Sequence, residues 1–239
     1  MKIFLKFLKW ILGIIILISI GLYATDYGYV LRGLRIVYMT GHDNVFIDEH
    51  PYFDNRTVET GQPQPLPKHP DYNTVKVPEE LKETHDNYGS VAFLILKDGR
   101  LWHEHYVEGY GPESHTNSFS MAKSIITLML GKAIEDGCIE NLNQNVTDFF
   151  PDLQGEFADQ LTVGDLASMA SGLNWDENYS SPFSITAQAY YRKNIRDLTL
   201  NLSVDEQPGQ EFNYLNGNTQ LLGMVLEKAV GKNLSDYLS

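Results

Sequence analysis

The chain has 239 residues, with 18 Lys and Arg against 31 Asp and Glu, a formal net charge of −13. A body this acidic repels phosphate backbones and argues against a nucleic-acid partner. The single cysteine, Cys138, excludes an intrachain disulfide and a zinc centre built from several cysteines. It follows a glycine at a predicted helix end, where a small buried hydrophobe is expected.

Lys2, Lys6 and Lys9 lead into an apolar run from Trp10 to Ala24, interrupted only by glycine and one serine. Counted back through Ile3, Phe4, Leu5, Phe7 and Leu8, the stretch approaches the ~20 residues a helix needs to cross hydrocarbon. Positive charge on its N-terminal side holds that end in the cytoplasm, which places the chain after about Asp26 outside. Leu22, in Gly-Leu-Tyr-Ala, spoils the small-residue pattern of a cleavage site. Residues 1–26 are therefore read as an uncleaved transmembrane signal-anchor in the inner membrane, with the rest periplasmic or extracytoplasmic.

Residues 27–80 read as an arm and connector. Tyr27, Tyr29, Tyr38, Phe46, Tyr52 and Phe53 give the arm apolar surface to pack on a main body. Pro63, Pro65, Pro67 and Pro70 make the next stretch an extended connector. Pro78-Glu79-Glu80-Leu81 suits the start of a short helix. Ser90–Leu96 and Leu101–Val107, joined across Asp98-Gly99, predict a hairpin. Its first strand is apolar on both faces and should be covered on both sides. Two strands alone do not make a stable sheet, so further strands are expected.

From Ser118 the pattern turns helical. Ser120–Glu135 is apolar around nearly its whole circumference, which predicts a central, buried helix ended by Asp136-Gly137. Thr162 with Asp165 three residues on is a capping-box arrangement, and Gly172 is expected to close that helix. A further helix runs from Thr219 to Lys228, with Gly231 beyond its end, and Asn233 is placed to cap another.

The chemistry concentrates at Ser120-Met121-Ala122-Lys123. On a helix, residues three apart share a face, so the Lys123 amine lies beside the Ser120 hydroxyl. A serine hydroxyl needs a base to become a nucleophile, and a lysine desolvated by an apolar wall can serve. The helix N-terminus offers N–H groups and a positive dipole end to a developing oxyanion. By itself a Ser-x-x-Lys arises about once by chance in a chain of this length, as a capping serine with a solvated lysine. Tyr214-Leu215-Asn216 follows a turn-rich entry at Gln207–Asn213 and precedes a helix. A phenol near an ammonium has a lowered pKa and can relay protons; an amide such as Asn216 can both donate and accept. The alternative for Tyr214 alone is a buried structural tyrosine.

Together, Ser120-Met-Ala-Lys123 and Tyr214-Leu-Asn216 in a Pro-Gly-x-x-Phe-x-Tyr-x-Asn context resemble the first two motifs of the serine β-lactamase and penicillin-binding-protein superfamily. The nearest flavour is the class C-like branch, with its esterases, D-aminopeptidases and 6-aminohexanoate-dimer hydrolases. Leu161–Leu173 resembles that branch's Thr-hydrophobic-x-x-Leu-Leu-x-x-x-Ser-Gly-Leu segment. The resemblance covers about residues 85–239, and residues 81–239 are expected to form the related domain. It implies an α+β fold: an antiparallel sheet flanked by helices plus a helical subdomain. It further implies Ser120 as the acylated nucleophile, Lys123 and Tyr214 as proton shuttle, and Asn216 as holder of the substrate carbonyl. The Ser120 backbone N–H would form half of an oxyanion hole. The family's third motif, Lys-Thr-Gly or His-x-Gly on a later strand, has no match between Tyr214 and Ser239. The C-terminal strands are thus expected to be missing and the chain alone to turn over little or no substrate.

The expected substrate is a small-molecule or peptide ester or amide; a D-Ala-D-Ala carboxypeptidase-like protein and a membrane-anchored, non-catalytic sensor domain are the alternatives. A Ser-His-Asp hydrolase of the α/β type fails on order, because all seven histidines precede Ser120. His103 and His105 share one side of a strand and could bind a metal with a carboxylate, or simply line a hairpin face. No metal or cofactor is assigned, and the oligomeric state is not specified by the sequence.

Overall fold

The computed structural model describes residues 1–239. In chain order the elements are α1 (Lys2–Ala24), α2 (Gly28–Ile36), α3 (Glu79–Tyr88), β1 (Ala92–Lys97), β2 (Arg100–Tyr106), α4 (Met121–Glu135), α5 (Val163–Ala167), α6 (Ile185–Tyr191), α7 (Arg196–Leu200), α8 (Asn216–Val230) and α9 (Leu234–Leu238). The fold is mixed α+β, with a short antiparallel sheet and an extensive helical region. Its contacts resolve into two compact units, residues 1–58 with 118–239 and residues 59–117.

α1 is one uninterrupted helix with no buried residue. At 1.5 Å per residue it is about 34 Å long, against a hydrocarbon core of about 30 Å. It is long and apolar enough to cross a membrane.

In the smaller unit β1 and β2 pair antiparallel, Ala92 opposite Tyr106 and Lys97 opposite Arg100. Asp98 and Gly99 both take positive φ, 50° and 69°, which closes the two-residue turn. Only one face of β1 is covered. Phe93 packs on His85 of α3, ring centroids 4.3 Å apart, whereas Leu94 and Leu96 are 46% and 54% exposed. The expectation of cover on both faces is thus corrected. The hairpin gains a neighbour from an unforeseen source, the Pro-rich connector. The Leu101 N–H donates to the Pro67 carbonyl and the His69 N–H to the Leu101 carbonyl, both at 2.9 Å. Asn73 then clasps the Glu104 backbone, its Oδ1 accepting from the N–H at 2.8 Å and its Nδ2 donating to the carbonyl at 2.9 Å.

The larger unit is built on α4, α5 and α8. Leu130, Ile139, Leu161, Val163, Leu166, Leu221, Leu222 and Leu226 form a core that is almost fully buried. α8 supplies much of it, and Gly231 at φ 67° terminates that helix. α4 departs from expectation. Met129, Leu130 and Ala133 are buried, but Met121 and Leu128 are 65% and 75% exposed. Apolar residues ring the helix, yet its neighbours in this unit cover only one stripe. α5 carries the expected capping box, Thr162 and Asp165 bonding each other's N–H groups. It ends at Ala167, short of Gly172, and Met169 takes φ 60° in the loop that follows. Cys138 is exposed, and the buried residue at that turn is its neighbour Ile139.

The aromatic arm packs on α6. Phe53 meets the rings of Tyr190 and Tyr191. Gly33 of α2 lies against Tyr191, whose ring would sit 3.1 Å from an added Cβ. Arg192 closes the contact with an ion pair to Asp26 at 2.8 Å and a cation–π contact with Tyr29.

Candidate active site

The loop into α4 delivers Ser120 through strained backbone. Phe119 takes φ 44°, a left-handed conformation unfavourable for a bulky residue. Ser120 follows at the N-cap of α4, at φ −67° and ψ −12°. The N–H groups of Met121, Ala122 and Lys123 bond back to the carbonyls of Ser118, Phe119 and Ser120. The first turn is therefore internally satisfied, contrary to the free row of donors expected. The Ser120 N–H has no partner among these bonds.

One turn on, Lys123 Nζ donates to Ser120 Oγ at 3.3 Å. The same amine lies 5.1 Å from the centroid of the Tyr214 ring. Ser120, Lys123 and Tyr214 therefore share one locus. The Tyr214 phenol is held below its ordinary value, first by hydrogen bonding to Ser120 and then by hydrogen bonding to Lys123 and its charge. Desolvation and the Glu177 charge work in the opposite direction. The wall expected to dry Lys123 is incomplete. Leu128 faces outward and Lys123 itself is half-buried.

Tyr214 reaches this point because its loop is stitched to the loop after α5. The Asn213 N–H donates to the Met169 carbonyl at 2.7 Å, and the Gly209 N–H to the Ala170 carbonyl at 2.8 Å. Beneath them the buried Ser171 hydroxyl donates to Asn218 Oδ1, and Asn218 Nδ2 donates to Met169 Sδ at 3.3 Å. Gly217 lets α8 lie on Trp175, which would stand 2.6 Å from any Cβ there.

Asn216 opens α8, whose N-cap, Leu215, makes no side-chain cap. Glu177 fills that role from a distance. Its Oε2 accepts from the Asn216 N–H at 2.8 Å and its Oε1 from Asn216 Nδ2 at 2.5 Å. A carboxylate at this end of the 15-residue α8 also meets the positive end of the macrodipole. Tyr179 donates to Glu177 and accepts from Asn216 Nδ2 at 3.1 Å. Local desolvation of its hydroxyl, in a residue that is otherwise largely exposed, and the bond to Glu177 push the Tyr179 phenol up to about 12.

Residues 79–239 match the family described as Beta-lactamase. The chain belongs to the beta-lactamase family. Among known proteins it is 27% identical over 160 residues to 6-aminohexanoate-dimer hydrolase of Paenarthrobacter ureafaciens, covering 62% of this chain and 40% of the relative. It is 26% identical over 165 residues to Protein flp of Staphylococcus aureus strain COL, covering 62% of this chain and 31% of that one. Among solved structures, a Bacillus anthracis protein provisionally described as a 6-aminohexanoate-dimer hydrolase superposes with a TM-score of 0.60 at 22% identity. That match covers 73% of this chain and 51% of the other. The chain thus spans well under half the length of these two curated relatives.

Within this beta-lactamase-family chain, the expectations for Ser120, Lys123 and Tyr214 concern residues that do lie together. Asn216 sits beside them in sequence, and its Nδ2 donates to Glu177 and to the Tyr179 oxygen. Glu177 and Tyr179 were missed. The available signal was a period of two: Leu173 and Trp175 are buried while Asn174 and Asp176 are exposed, which puts Glu177 on the inward side of an extended segment. A carboxylate on an inward face needs a partner, and Asn216 supplies it.

Proposed function

We propose that the chain is a serine hydrolase that acts on an ester or amide through an acyl-enzyme, with Ser120 as nucleophile. The contact that carries this is the Lys123 Nζ to Ser120 Oγ bond at 3.3 Å beside a phenol of lowered pKa, Tyr214. The Tyr214 phenolate takes the Ser120 proton as Oγ attacks the carbonyl carbon. The tetrahedral intermediate collapses, and Tyr214 returns the proton to the departing alcohol or amine. Water then attacks the acyl-Ser120 ester with Tyr214 again as base, releasing the acid. The Lys123 amine steadies the phenolate throughout, and the Ser120 N–H is one donor available to the oxyanion. The similarity to a 6-aminohexanoate-dimer hydrolase supports an amide as one natural substrate type. α1 anchors the chain in the membrane, with the three lysines before its apolar run on the cytoplasmic side and the site outside.

The test is labelling by a fluorophosphonate, in which Ser120 Oγ bonds to phosphorus and fluoride leaves. Label is expected on the native chain, absent from Ser120→Ala and slowed about a hundredfold or more in Tyr214→Phe. Equal labelling of native chain and Ser120→Ala would remove Ser120 from the chemistry. A fluorescent penicillin that acylates Ser120 and never leaves would instead favour a sensor.

A further inference from the structure

α2 has two apolar faces, and protein covers only one of them. Tyr29, Gly33 and Ile36 are buried, with Gly33 against Tyr191 of α6. At 3.6 residues per turn Leu34 falls on the opposite side, with Tyr27 two turns before it and Tyr38 one turn after. These three side chains are exposed, as is Met39. Phe183 is exposed too and extends the surface through an edge contact with Tyr27, ring centroids 5.7 Å apart. A row of large apolar side chains in water marks an interaction surface.

The same surface is basic. Residues 27–42 and 180–196 hold Arg32, Arg35, Arg192, Lys193 and Arg196 and no Asp or Glu, in a chain whose acids outnumber its cations 31 to 18. Arg192 is paired with Asp26, whereas Arg35, Lys193 and Arg196 are exposed. Asp26 fixes where this surface stands. It takes φ 64° two residues after α1 ends, and the Tyr27 N–H donates back to the Leu22 carbonyl at 2.7 Å, so α2 starts beside the end of α1. The Arg192 ion pair, at 2.8 Å, ties the end of α6 to the same point.

We infer that the outer face of α2 and the 192–196 turn dock on the bilayer that α1 crosses: Leu34, Tyr38 and Met39 enter the interface, and Arg35, Lys193 and Arg196 meet the phosphates of anionic phospholipids. This rests on α1 spanning a membrane, as proposed above. Continuity selects the lipid, because a helix that ends in the headgroup layer holds the residues after it there. Tyrosine suits that layer, with an apolar ring and a polar tip. A short helix with an apolar face rimmed by cations lies along such an interface and is drawn to anionic lipid. A free phosphate would engage the cations and leave the apolar row in water. A second copy would set cations against cations. The body is thus held on its α2 and α6 side and does not swing from a single tether.

The test uses the full chain in phosphatidylcholine vesicles containing about 30% phosphatidylglycerol. Cys138→Ser removes the native thiol, so that one introduced cysteine carries a nitrobenzoxadiazole dye. Leu34→Cys and, as a second variant at a more exposed position, Met39→Cys report the docking face. Glu211→Cys, an exposed residue of the Tyr214 loop, is the reference. Phospholipids brominated high on their chains should quench the dye at 34 and 39 about twofold or more above the dye at 211. That excess should fall by about half in about 1 M salt, where the Debye length is about 3 Å. Vesicles without phosphatidylglycerol, and the combined Arg35→Gln, Lys193→Gln and Arg196→Gln variant, should lower it likewise. Quenching at 34 and 39 no greater than at 211 overturns the proposal, as does an excess that none of these three changes reduces. Crosslinking of Leu34→Cys to a second copy in place of quenching gives the face to a dimer and is equally fatal. Ile14→Cys, near the middle of α1, reads the span separately through lipids brominated deep in their chains. Deep quenching at 14 with none at 34 and 39 removes the docking alone. No quenching at 14 removes the anchor, and positions 34 and 39 are then judged by their own signals.

Discussion

Replacing Asn218 by alanine tests whether the Ser171–Asn218 pair holds the tyrosine loop in place. Both side chains are buried, at 1% and 0% exposure. Asn218→Ala leaves the Ser171 hydroxyl without its acceptor, which costs about 1–3 kcal/mol. It also ends the weaker bond to Met169 Sδ and opens a small cavity, which brings the expected loss to about 3 kcal/mol. Ser171→Ala strands Asn218 Oδ1 in turn, and removes the acceptor for the Leu173 N–H at 3.2 Å, for about 2 kcal/mol. In the double variant neither side chain is left reaching for the other. Its loss should therefore fall short of the sum by about 1 kcal/mol or more. Urea unfolding in detergent, followed through Trp175 fluorescence, gives all three values. Losses that add within about 0.5 kcal/mol would show the two residues to be energetically independent and refute this account.

Gly172→Ala should cost about 2–4 kcal/mol, since φ is 68° and the new Cβ would meet the Glu206 carbonyl oxygen at 2.1 Å; a thermal melt shifted by less than a degree contradicts it. Hydrogen bonds first from Tyr106 and then from Tyr72 hold the Glu104 carboxyl below its ordinary value of 4.5. Their stabilisation of the smaller unit is complete above that pH and is lost as pH falls through the lower folded-state value. Hairpin amide signals should therefore melt earlier in acid, and Glu104→Gln should remove that dependence. Fluorophosphonate labelling should rise with pH to a midpoint below that of an ordinary tyrosine, and Lys123→Met should move the midpoint up, because a cation that favours the phenolate is gone. Alkaline carbonate should leave the intact chain in the membrane and release a version lacking residues 2–24.

Local features were the legible ones. Asp98-Gly99, the Thr162–Asp165 box, Gly231 and Asn233 each act over three or four residues, and the sequence displays both partners at once. The Ser120–Lys123 contact belongs to the same class, one helical turn apart. The meeting of Tyr214 with that pair spans the chain, and only the resemblance connected them beforehand. Burial was the least readable property. The apolar ring of α4 reports composition, not how many neighbours arrive to cover it, and Leu128 and Met121 stay exposed. Cys138 and Ile139 show the same limit on a smaller scale, with one residue's rotation separating outside from core. For Glu177 the alternation could suggest an inward side chain but not its partner. Its partner Asn216 lies 39 residues on, and no periodicity relates an extended segment to a distant helix start.

The left-handed Phe119 has a consequence for tuning this protein. A glycine there would relieve that backbone strain, but it would also give up the contacts of the ring and free the unfolded chain. It would also give the neighbouring hydroxyl more orientations to sample. Position 119 therefore couples the strain of the entering loop to the aim of the Ser120 side chain.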